Sequence, residues 1–83
     1  MNNAIILTNG LLTTSDAKTA HGLIRGTEKF TIVGVIDGIE TAGNDAGNML
    51  DGKHRNIPVF SGLEEAMENI NKVDFLIIGV ATV

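Results

Sequence analysis

Residues 4–37 read AIILTNGLLTTSDAKTAHGLIRGTEKFTIVGVID, and the fold turns on how this stretch divides. Ala4–Leu7 is a short continuous apolar run, the mark of a strand covered on both faces. Asn9-Gly10 ends it. Thr14 or Ser15 then suits the N-cap of a helix over about Asp16–Arg25, with Asp16 in the first turn, where the helix dipole favours an anion. Ala17, Ala20, Leu23 and Ile24 recur at helical spacing and are expected to face the sheet, and Gly26 fits the position just past the helix. Phe30–Ile36, rich in β-branched residues, reads as a second strand ending in Asp37-Gly38. Strand, helix, strand is the unit from which parallel sheets are built.

The remaining chain continues the pattern more loosely. Glu40–Arg55, with Gly43, Gly47 and Gly52, is the least regular part, and a short helical turn is expected around Asp45–Leu50. Ile57–Phe60 reads as a brief third strand, and Pro58 near its start predicts an edge position. Ser61-Gly62-Leu63-Glu64 matches the capping box S-x-x-E, followed by Leu63, Ala66, Met67 and Ile70 at one-face helical spacing. Val73–Val80 is a last strand, apolar on both faces. This alternation predicts one α/β domain over residues 1–83: three layers, a four-stranded parallel sheet with right-handed crossovers, and strand order 3-2-1-4, the first half of a doubly wound fold.

Composition narrows the function classes. At 43% hydrophobic and 19% charged residues the chain is globular rather than disordered. Net charge is −4 and the six basic residues are scattered, which speaks against nucleic acid as a partner. Without cysteine there is no disulfide, thiolate zinc site or cysteine nucleophile. MNNAIILTNG has neither the basic start nor the apolar core of a signal peptide, and no apolar run approaches the ~20 residues that span a bilayer, so a cytoplasmic protein without membrane partners is expected.

Sheets of this order bind ligands beyond the carboxyl ends of their strands, near the point where strand order reverses. Those ends are Thr8-Asn9-Gly10, Asp37-Gly38, Phe60-Ser61 and Gly79-Val80-Ala81, and the candidate ligand contacts are Asn9, Gly10, Lys18, Thr19 and Asp37. Gly10 lets backbone approach a ligand, and the free amides around Ser15–Lys18 suit a small anion. Lys18-Thr19 looks like the end of a P-loop, but Ala17 stands where its second glycine belongs, and the G-x-G-x-x-G fingerprint is absent. An ordinary strand-to-helix turn with a solvated Lys18 accounts for the same residues. Asp37 follows Ser15 by about 20 residues, where dinucleotide-binding domains hold ribose hydroxyls; a turn aspartate bonding nearby backbone is the other reading. His21, on a helix flank, and His54, in a polar loop, lack a third ligand at fixed spacing and read as surface histidines. Glu64, Glu65 and Glu68 read as cap and solvated helix face. Spacing alone gives no nucleophile–base–orienter set.

Taken in order, AKTAHGLIR (17–25), GVID (34–37), AGNDAG (42–47), IPV (57–59) and IIGVA (77–81) resemble the Rossmann-like N-terminal domain of a bacterial and archaeal family, long of unknown function, that includes the D-glutamate N-acetyltransferase DgcN. The resemblance covers nearly the whole chain. It implies a Rossmann-like half-fold, an N-acyltransferase activity in the full-length protein, and a larger C-terminal P-loop-like domain that carries the nucleotide-type loop. It assigns no catalytic residue to Lys18, Thr19, His21, Arg25, Asp37, Asp45 or Gly47, which match the motifs. The expected function is therefore a ligand-binding or accessory domain, with acyl-CoA or a nucleotide as candidate ligands. The alternatives are a non-catalytic interaction module and, third, a free-standing dinucleotide-binding domain. The last strand lies directly before the final residues, so the chain is expected to be the N-terminal part of a longer protein and to pair with a partner, most simply as a homo-oligomer.

Overall fold

The computed structural model describes residues 2–81. Four strands, β1 (Asn2–Leu7), β2 (Phe30–Ile36), β3 (Val59–Phe60) and β4 (Phe75–Ile78), form one all-parallel sheet in the order β3-β2-β1-β4. Helices α1 (Lys18–Arg25) and α2 (Ala46–Asp51) share one face of the sheet, and α3 (Leu63–Asn69) lies on the other. The expected three-layer α/β architecture and strand order are those observed. Among the described residues no helix is long and apolar enough to cross a membrane.

The core is aliphatic and split by the sheet. On one side Ile6, Val35, Ile57 and Val59 pack against Leu12, Ala17, Ala20, Ile24 and Ala46. On the other, Ile5, Ile36 and Phe60 pack against Ala66, with Leu7, Val33, Ile70 and Val73 partly buried beside them. Ala17, Ala20 and Ile24 are buried as their spacing predicts, and Leu23 is half-buried. At the amino end of the sheet the Phe30 and Phe75 rings meet edge to face, centroids 5.5 Å apart. They do so across β1, where the register places the small Ala4 between their strands.

Local structure departs from the expected pattern in three places. The first crossover opens as a 3-10 turn over Ser15–Ala17, capped by Thr14, whose hydroxyl accepts the Asp16 N–H at 3.3 Å, and becomes α-helical only at Lys18. The capping box at Ser61 does not form: Gly62 is the N-cap, and the Ser61 hydroxyl donates to Glu65 Oε2 at 2.7 Å. The helix buries Ala66, but Leu63 and Met67 remain 55% and 44% exposed. β2 carries a bulge: Ile32 pairs with Ala4 and Gly34 with Ile5, leaving Val33 extra. Val33 and Gly34 both therefore turn toward α3, where a Cβ on Gly34 would come within 2.8 Å of the Phe60 ring.

The AGNDAG segment is built around Asp45. Its carboxylate caps α2 by accepting the Asn48 N–H at 3.0 Å, and it also accepts the N–H groups of Arg55 (2.9 Å) and Ile57 (2.6 Å). α2 closes on Gly52 in the left-handed conformation, φ 79°. Gly47 is needed for close approach, because a Cβ there would sit 2.2 Å from the Lys53 carbonyl oxygen.

Candidate functional site

β1 and β2 are adjacent, so the residues after them emerge side by side at the carboxyl end of the sheet. The chain leaves β1 through buried Thr8 and turns at Asn9 (φ 49°) and Gly10 (φ 88°), both left-handed. That conformation is open to glycine and tolerated by asparagine. The turn brings the loop back over Asp37. Asp37 Oδ1 accepts the Thr8 hydroxyl at 2.6 Å, the Gly10 N–H at 2.8 Å and the Leu12 N–H at 3.1 Å; Oδ2 accepts the Thr41 hydroxyl at 2.5 Å. The Asp37 N–H donates to the Phe60 carbonyl at 3.0 Å, tying in the end of β3 as well. His21 fixes the same loop from α1, its Nε2 lying 2.5 Å from the Leu12 carbonyl oxygen.

Burial alone pushes the Asp37 carboxyl up, but the hydrogen bonds from Thr41, Thr8, Leu12 and Gly10 outweigh it and hold the group below the ordinary aspartate value. The carboxylate is therefore ionised at neutral pH and fully engaged by the chain's own donors. Beside it opens a cleft of about 280 Å³ lined by Gly10, Thr13, Asp37, Gly38, Ile39, Glu40 and Thr41. None of these residues is basic. Backbone, two hydroxyls and the exposed Glu40 carboxylate give the cleft a polar wall, and Ile39, 87% exposed, gives an apolar lip.

Of the five candidate contacts, Gly10 and Asp37 come together in this cleft. Asn9 sits at the exposed corner of the same turn, its N–H donating to the Ile36 carbonyl at 3.3 Å. Lys18 and Thr19 are exposed on the first turn of α1 and do not line the cleft. Three amides at that helix end have partners: Asp16 N–H on the Thr14 hydroxyl, Ala17 N–H on the Thr14 carbonyl and Ala20 N–H on the Gly79 carbonyl. The segment after β4 lies against this helix end, with the Ala81 N–H on the Asp16 carbonyl at 2.8 Å. Gly79 makes that approach possible, since a Cβ there would meet Ile6 Cγ2 at 2.5 Å and Ala20 Cβ at 2.8 Å.

The sequence shows Thr8 only as a strand end and gives no sign of the bonds made by Thr8, Thr41 and His21. Thr8 lies 29 positions from its carboxylate, a distance at which no local pattern operates. A second opening of about 250 Å³ is lined by Gly43, Asn44, Asp45, His54, Asn56 and Pro58. There His54 Nδ1 is 3.8 Å from Asp45 Oδ2, and its side chain is largely exposed. Among the described residues no three histidine, cysteine or carboxylate groups gather as a metal cluster. Comparison of the chain with protein-family models, curated proteins and solved structures found no match.

Proposed function

We propose that the chain is a Rossmann-like ligand-binding or accessory domain of a D-amino-acid N-acetyltransferase-like protein, the P-loop-like catalytic domain lying outside these residues. The observation that carries the reading is the cleft at the carboxyl ends of β1 and β2, where sheets of this class take their ligands, with both walls pinned by Asp37. The order of the AKTAHGLIR, GVID and AGNDAG motifs supports the choice of protein class. Thr13, Thr41 and Glu40 suit hydroxyl or amine groups of a ligand. For the phosphates of an acyl-CoA or nucleotide, the available contacts are Lys18 and Thr19 on the exposed start of α1.

Amide-shift titration with coenzyme A, adenosine monophosphate and D-glutamate, each taken separately into the millimolar range, tests the ligand. Saturable shifts at residues 10–13 and 37–41 support binding in the cleft; silence there overturns it. A downstream reading frame carrying a P-loop supports the protein class.

The non-catalytic interaction module is the second reading, favoured by apolar side chains left open on β4. A free-standing dinucleotide-binding domain stands third: the glycine fingerprint is missing, and both Asp37 oxygens already accept donors from the chain.

A further inference from the structure

The two edges of the sheet are finished differently. Along the outer side of β3 runs the segment from Gly43 to Ala46. The Gly43 N–H donates to the Val59 carbonyl (2.9 Å), the Val59 N–H to the Asn44 carbonyl (3.0 Å), and the Ala46 N–H to the Ile57 carbonyl (2.8 Å). β4 has none of these devices. Phe75–Ile78 holds no proline, charge or bulge, and among the described residues no segment pairs along its outer side. Unprotected edges of this kind template pairing with another strand. The Gly79 N–H donates inward to the Leu7 carbonyl at 2.9 Å, and in the register that pairs Leu7 with Ile78 the two-residue alternation turns the N–H and C=O groups of Leu76 and Ile78 away from β1. The side chains are open too: Phe75 is 46%, Leu76 51% and Ile78 59% exposed, on both faces of the sheet.

We propose that β4 is the seam of a two-fold dimer, in which a second copy of this chain pairs antiparallel along it and one sheet runs through both molecules. The outward groups sit symmetrically about Ile77, as an isologous contact requires. A two-fold axis there sets Ile77 beside its own copy and pairs Leu76 with Ile78 of the second copy through reciprocal backbone hydrogen bonds. The seam suits a like chain electrostatically. Residues 75–78 are uncharged and Asp74 falls opposite Val80 of the second copy, so no like charges meet although each chain carries −4. Four residues bury less than the ~1,200–2,000 Å² of a standard interface, so the dimer is weak and concentration-dependent.

Two measurements on the whole chain test this. Sedimentation velocity from micromolar to millimolar concentration should show a coefficient rising toward the dimer, and Leu76→Lys should stay monomeric with an unchanged circular dichroism spectrum. The chain has no cysteine, so Ile77→Cys supplies a single thiol on the axis. Paired as described, two such thiols face each other within disulfide reach, and oxidation should link them about tenfold faster than in Glu64→Cys on exposed α3. A monomer at every concentration, a dimer that persists in Leu76→Lys, or equal cross-linking of the two cysteine variants overturns the proposal.

Discussion

Thr8 and Asp37, the residues that follow the two central strands, are joined by a buried hydrogen bond of 2.6 Å from hydroxyl to carboxylate. Through this contact one side chain holds the loop after β1, the turn after β2 and the wall of the cleft in fixed relation. Asp37→Ala takes the acceptor from the Gly10 and Leu12 amides and leaves the Thr8 hydroxyl only the Ile36 carbonyl at 3.3 Å. It is expected to lower stability by about 2 kcal/mol or more, since buried unsatisfied groups cost about 1–3 kcal/mol each. Urea unfolding measures the loss, and the Gly10 and Leu12 amide resonances should shift most.

Acid should unfold the protein through the same group and through Asp45. Burial raises both carboxyls, but hydrogen bonds override it: from Thr41, Thr8, Leu12 and Gly10 on Asp37, and from Arg55, Ile57 and Asn48, with the nearby His54, on Asp45. Both folded-state values are thus depressed, and below the unfolded aspartate value of about 3.9 the unfolded chain binds more protons. Stability is flat above that pH and falls as pH drops through the depressed values. Urea midpoints between neutral pH and pH 3 check the slope, which should be shallower in Asp37→Asn.

Glycine replacements should split by sign. Gly22 lies inside α1, exposed, and a Cβ added there would meet nothing within 4 Å, so Gly22→Ala should stabilise by about 0.5–1 kcal/mol through backbone entropy. Gly79→Ala drives a methyl into Ile6 and Ala20 and should cost about 1–3 kcal/mol. Thermal melts of the two variants should move in opposite directions.

At the start of α3 the hydroxyl–carboxylate pair is Ser61–Glu65, not Ser61–Glu64. Glu65→Ala should therefore cost about 0.5–1 kcal/mol, whereas Glu64→Ala, exposed and unbonded to Ser61, should stay within about 0.5 kcal/mol of the parent. Equal effects of the two substitutions would restore the capping box.

The sheet was legible because its strands are apolar runs bounded by Asn9-Gly10, Asp37-Gly38 and Pro58, and because the runs alternate with helical spacing. Its finish was not. Ser61 is followed by carboxylates at both the third and fourth positions, so the motif alone does not choose between them. The bulge hides in FTIVGVI, where every central residue is apolar or glycine and either face accepts it. In the candidate site, Gly10 and Asp37 were visible as strand-end residues, but Thr8, Thr41 and His21 act through partners that only the folded topology brings near. The partners of the α1 amides were hidden for the same reason: the oxygens that occupy them include Gly79's, from the opposite end of the chain.

The extra residue in β2 makes the central strand tolerant of shortening. Ile32 and Val35 point toward α1 and α2, while Val33 and Gly34 both point toward α3. Removing Val33 would leave Ile32, Gly34 and Val35 alternating as an ideal strand, with no side chain before or after it turned over. A single-codon deletion in the middle of a buried strand would ordinarily exchange inside for outside. Here it would subtract one partly buried valine and leave the two halves of the domain in phase.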